Sequence, residues 1–318
     1  MRKFTAAVFA VAFTASAALA QTPQAPTLRI VSEDGNRLPS ELMYGNTKVK
    51  PLRLRPGTNV PITIDDSDFF VQQHYVDFLS RFPDQSGFAF WQGDINQCGA
   101  SNPGCTEAHR VNVSAAFFLS IEFQRTGYTV YKAYKAAFGD LPGKPVPVRR
   151  ENFMPDSRAI SNNVVVGATD WEKTLDNNIN AYLAAFVQRG DFQAAFPASM
   201  NAAQFVDKLF ANANVTPTAG EREAAVAAFG SGNAAGRAAA LRAVTESQTL
   251  HSAELNKAFV LSQYFGYLKR NPDDLPDANF NGYSFWLGKL NEFNGNYIAA
   301  EMVKAFLESI EYRQRFGQ

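Results

Sequence analysis

Two stretches set the fold: FVQQHYVDFLSRFPD, from Phe70 to Asp84, and FVLSQYFGYLKRNPD, from Phe259 to Asp273. Phe, Val, Tyr, Leu, Arg, Pro and Asp fall in the same order in both. In the first stretch Val71, Tyr75, Phe78 and Phe82 recur at spacings of four, three and four, which lines them along one helix face. Asp66 and Ser67 stand where a helix cap belongs. Pro83 ends the run before an Asp84-Gln85-Ser86-Gly87 turn.

The register holds on moving outward. After a short insertion in the later copy, Gly87, Phe90 and Trp91 correspond to Gly282, Phe285 and Trp286. Ile95-Asn96 corresponds to Leu290-Asn291, and Ala116-Phe117 to Ala305-Phe306. Ser120-Ile121-Glu122-Phe123 then corresponds to Ser309-Ile310-Glu311-Tyr312. The period, about 190 residues, is too long for a solenoid unit. It implies duplication of a small helical module of about 60–70 residues. A weaker third copy is suggested by FVDKLFANANVTP, from Phe205 to Pro217, although it lacks the Trp of the second helix.

These ordered residues resemble the DUF4214 family of bacterial extracellular proteins. The resemblance rests on Phe70-Val71, Tyr75, Leu79, Arg81, Pro83-Asp84, Gly87, Trp91, Phe117 and Ser120-Ile121-Glu122-Phe123, and on the second copy from Phe259 to Tyr312. That family is itself similar to phycobilisome linker domains. The resemblance implies an all-α fold and a non-catalytic, interaction-type role, and it brings no catalytic residue with it. The insertion after Asp273 and the cysteine loop after Ile95 depart from the family pattern.

The expected organisation follows. Residues 1–20 read as a secretory signal peptide, with Arg2 and Lys3, an apolar run from Ala6 to Ala18, and small residues before a cut near Ala20. Residues 21–66 form a β-prone extension rich in Pro and Gly. Residues 67–139 are the first helical module, 140–170 a proline-rich connector, and 171–250 a central helical region. Residues 251–318 are the second module. No later run is apolar enough to span a bilayer.

The 318 residues carry 30 basic and 30 acidic side chains. Such a balance offers no broad attraction to nucleic acid or anionic lipid. Cys98 and Cys105 are the two cysteines. In an exported chain they read as a disulfide, because their spacing matches neither C-x-x-C nor a zinc knuckle and no His lies between them.

Candidate chemistry is sparse. Arg81 and Arg270, each before an X-Pro-Asp containing Asp84 or Asp273, suit a partner or anion contact, or a local ion pair that fixes the turn. Trp91 and Trp286 suit sugar stacking or core anchoring. Asp277, Asn279 and Asn281 before Gly282 form the first half of a calcium loop, but the closing Glu position is Gly288. An Asx-rich turn is the alternative, and no other cofactor is expected. Glu122 and Glu311 follow serine caps, where the helix dipole favours an acid. His74, His109 and His251 share no ligand spacing. Phosphate-loop, zinc-protease and nucleophile-elbow motifs are absent. The expected role is binding of a surface protein or glycan. An extracellular hydrolase and a surface-layer component are the alternatives.

Overall fold

Every long apolar-periodic run from Ser67 onward becomes a helix, and the chain is all-α there. The computed structural model describes residues 28–32, 39–44, 47–49, 55, 58, 60–99 and 102–316. The signal-peptide segment lies outside the described residues. Two units divide the chain at Val49. In the first, β1 (Leu28–Ser32), β2 (Pro39–Tyr44) and β3 (Thr47–Val49) form an antiparallel sheet in the order β1-β2-β3. The LRIV run makes β1 as its β-branched residues suggest. Further along the β-prone extension residues 60–64 form no strand, and Pro61 makes only an isolated bridge.

The second unit, Lys50–Gln318, is helical. It opens with α1 (Ser67–Leu79), α2 (Gln85–Asn96), α3 (Pro103–Leu119), α4 (Ile121–Arg125) and α5 (Gly127–Phe138). Phe82 departs from the expected helix face. α1 ends at Leu79, Ser80 turns left-handed, and Phe82 is exposed. The reason is local: Pro83 bars Phe82 from the helical region. The Ser80 and Arg81 amides fold back together on the Tyr75 carbonyl.

The proline-rich segment 140–170 is not wholly extended. It contains α6 (Arg150–Ser161) with Pro155 inside. Pro155 lacks the N–H that would reach the Glu151 carbonyl, a loss the helix tolerates because α6 packs on both α5 and α7 (Trp171–Phe186). There follow α8 (Gly190–Ala195), α9 (Ala202–Ala213), α10 (Ala219–Phe229) and α11 (Ala234–Thr245). Asn201 and Thr218 close capping boxes with Gln204 and Glu221.

The last part comprises α12 (Gln248–Gln263), a π-helical turn (Tyr264–Leu268), α13 (Asn281–Glu292), α14 (Met302–Glu308) and α15 (Ile310–Gln314). α5 is the hub, packing against α6, α9, α11 and α12 and burying Tyr128 and Tyr131 completely. Early and late helices share one core. Phe118 stacks on Phe259 with centroids 4.1 Å apart, and Phe78 meets Tyr267 edge-on at 5.0 Å. Each fully buried Phe is worth about 1.5–3 kcal/mol. Contacts between the two quoted stretches therefore contribute directly to the core.

Candidate functional site

The turn after each quoted stretch is built on one arginine. Arg81 Nε and Nη2 each donate at 2.7 Å to the two oxygens of Glu122, which lies 41 residues away. Arg270 makes the same bidentate pair with Glu311, also 41 residues on, at 2.6 and 3.0 Å. Each guanidinium lies over a tyrosine ring, Tyr75 at 4.8 Å and Tyr264 at 5.3 Å. Burial works against the Arg81 charge, and the Glu122 carboxylate outweighs it, raising the guanidinium above its ordinary value. The acid of SIEF and SIEY is thus more than a dipole partner. In the first stretch it clamps the start of α4 onto the turn that follows α1.

Ser120 and Ser309 start those helices as expected. Their hydroxyls accept from the Phe123 and Tyr312 amides and donate back to the Phe117 and Phe306 carbonyls. The same double bond recurs in the central region, where Ser247 accepts from the Leu250 amide and donates to the Val244 carbonyl. There the acid's position is filled by Thr249, which bonds Glu221.

Trp91 and Trp286 are half-buried anchors, not free platforms. Each ring packs 5.9 Å from a core phenylalanine, Phe117 or Phe306. The exposed aromatic in each copy is the residue before it. Phe90 is 65% exposed and Phe285 55%, and each stands edge-on against its tryptophan. Ile121 and Ile310, at the starts of α4 and α15, are 58% and 74% exposed. The sequence held this signal. Adjacent residues on a helix point about 100° apart, and Trp91 shares a face with the buried Ile95, which leaves Phe90 to the side.

Asp84 and Asp273 align in sequence and part in space. Asp84 caps α2 through the Gly87 amide at 2.8 Å. Asp273 instead pairs with Lys144 and Arg149. Asp84 also takes Arg81 Nη1 at 3.4 Å, and past the insertion the matching ion pair is made by Asp277, which takes Arg270 Nη2 at 2.7 Å and lies close to Gly282 without capping α13. In both copies the glycine is required by space, because a Cβ at Gly87 or Gly282 would strike the hydroxyl of Tyr75 or Tyr264. Asn279 accepts from the Asn281 amide at 2.8 Å, an Asx turn. In this structure Asp277 is thus paired with a guanidinium and Asn279 is turned onto the backbone of its own loop.

A serine–histidine pair is present and sealed. His74 Nε2 lies 2.7 Å from Ser114 Oγ, but His74 Nδ1 faces the Phe70 carbonyl, and Ser114 also meets the Tyr267 hydroxyl. All three side chains are buried. Burial pushes the imidazole down to about 4, which keeps it neutral. Among the described residues no carboxylate hydrogen-bonds the ring, and the hydroxyl is buried. The group ties α1, α3 and the π-helical turn together. A nearby apolar cleft, lined by Phe123, Tyr131, Phe153 and Phe265 among others, holds about 200 Å³ including its open mouth. Ligand pockets run to about 300–1,000 Å³.

Cys98 and Cys105 are joined in a disulfide, with Cα atoms 5.7 Å apart, between the end of α2 and the first turn of α3. No helix among the described residues is long and apolar enough to cross a membrane. No family profile, curated protein or solved structure matches this chain.

Proposed function

We propose that the chain is an exported, non-catalytic adaptor whose repeated helical module offers a Phe–Ile surface to a protein partner at the cell surface. The observation that carries this reading is the paired exposure of Phe90 with Phe285 and of Ile121 with Ile310. Exposed apolar side chains that recur at matched positions suit a contact surface better than isolated ones do, which are common on any protein. Repetition of the arginine clamp and of the serine cap supports descent of the two copies from one module, with α9 to α11 as a degenerate third. The resemblance to DUF4214 modules points the same way. The N-terminal signal pattern and the disulfide support an oxidising, extracytoplasmic site of action.

Phe and Ile favour a protein over a glycan. Sugar sites combine a flat aromatic platform with convergent hydrogen-bonding groups, and here the tryptophans are half-buried. Two patches on one chain would also raise avidity without any new contact. The test is capture from the source cell's own envelope fraction, with wild type beside the Phe90→Ser/Phe285→Ser variant. A protein retained by wild type and lost from the variant supports the proposal. Equal retention by both, or binding on a glycan array alone, refutes it.

A further inference from the structure

Among the described residues one group of ligand-type side chains draws together away from the exposed aromatics. It comprises Cys98, Cys105 and His109, whose ligand atoms all lie within 4.8 Å of one another. We propose that, once the Cys98–Cys105 disulfide is reduced, these three residues form a zinc site.

The geometry supplies each part. Cys105 and His109 stand four apart on α3, so the thiolate and the imidazole share one helix face. Cys98 comes to them from the end of α2. Asp94 Oδ2 lies 3.0 Å from His109 Nδ1, so that nitrogen donates to the carboxylate and leaves the Nε2 lone pair for a metal. A carboxylate orienting a ligating histidine is the usual support of such sites. With the proton on Nδ1, Gln97 Nε2 can donate only to Nε2, 3.4 Å away, and that is the contact a metal would displace. Cys105 also sits in the first turn of α3, where the helix dipole favours a thiolate. Cys98 is buried, whereas Cys105 and His109 are only half-buried, which leaves the ion a way in.

The chemistry balances. A dithiol reductant supplies two electrons and two protons, the Sγ–Sγ bond breaks to two thiols, and the reductant becomes a disulfide. Zinc then takes both sulfurs as thiolates and releases the two thiol protons. Tetrahedral coordination needs the sulfurs to part to about 3.8 Å, set by Zn–S bonds of about 2.3 Å. Two thiolates and one imidazole leave a fourth position for water or a further ligand. The site would therefore be reversible and redox-gated: closed as a disulfide, open to metal as a dithiol.

Cobalt(II) is the probe. The full chain is reduced, freed of reductant without air, and titrated with cobalt(II) while its circular dichroism is recorded. The expected result is one equivalent bound, with thiolate-to-cobalt charge-transfer absorption and tetrahedral visible bands, all displaced by zinc. The oxidised protein gives none of these. His109→Ala weakens binding at least ten-fold, Asp94→Asn weakens it about ten-fold, and His251→Ala leaves it unchanged. A reduced protein that shows no thiolate bands overturns the proposal, whether it is folded or not, because the site needs α2 and α3 in place. Equal affinity in wild type and His109→Ala overturns it as well.

Discussion

Replacing Asp77 with Asn should be among the most destabilising single changes in the chain. Asp77 is buried on α1 and takes both oxygens to Arg315, at 3.0 Å each. Lys269 reaches one oxygen at 2.9 Å, and Gln73 donates to it at 2.7 Å. Burial pushes this carboxyl upward, but Arg315 and Lys269 outweigh it and hold it well below the ordinary carboxylate range. Asn keeps the shape and removes the charge, leaving two cations facing each other in a poorly solvated place. Removing one partner of a buried pair costs about 3–5 kcal/mol. For a chain of this size that lowers the melting temperature by about 10 °C. The pH dependence supplies an independent check. A depressed carboxyl stabilises the fold fully above its unfolded value, near pH 4, and the contribution is lost as pH falls toward the folded value. One such group changes stability by up to about 1.4 kcal/mol per pH unit in that window. Urea denaturation from pH 2 to 7 should therefore show the wild-type acid limb flattened in Asp77→Asn. A loss under about 1 kcal/mol at neutral pH, or an unchanged acid limb, would refute the reasoning.

Gly87→Ala and Gly282→Ala should each cost about 1–3 kcal/mol, since the new methyl strikes a tyrosine hydroxyl. Gly93→Ala, in open space on α2, should instead stabilise by about 0.5–1 kcal/mol. Chemical denaturation of the three variants separates the two outcomes. Cys98→Ser with Cys105→Ser should lower stability by about 2 kcal/mol, because the closed loop is short, and the unreduced wild type should label with no thiol reagent. Calcium added to the intact chain should leave its melting temperature unmoved. A rise reversed by a chelator would instead mean that Asp277 leaves Arg270 for the ion.

The helices were legible because their information is local. Caps at Ser120, Asn201, Thr218 and Ser309, and stops at Pro83 and Gly139, are written within a few residues of where they act. What stayed hidden depended on distance. Glu122 reads as a first-turn acid until Arg81 is seen across the turn. His109 stands four residues after Cys105 on one helix, but Cys98 is eleven residues before it, and only the disulfide brings that sulfur to the same place. Aligning Asp84 with Asp273 followed identity, whereas past the insertion the pairing with the turn arginine passes to Asp277. Sequence register carries function only while the loop between two positions keeps its length.

The two copies match in their clamps and differ where they meet. α1 packs on the π-helical turn, and there Phe78 and Tyr267 are in register, as are Asp77 and Gly266. A Cβ at Gly266 would strike the Phe78 ring, so the second copy must be bare at that point. The cations obey the opposite rule. Lys269 and Arg315 belong to the second copy, and the residues in register with them in the first are Ser80 and Thr126. The acid is thus supplied by one copy and its counter-charges by the other. With Ser- and Thr-type residues in those places Asp77 would be buried beside no cation, an unpaired charge of the costly kind. The interface is therefore built for unlike halves.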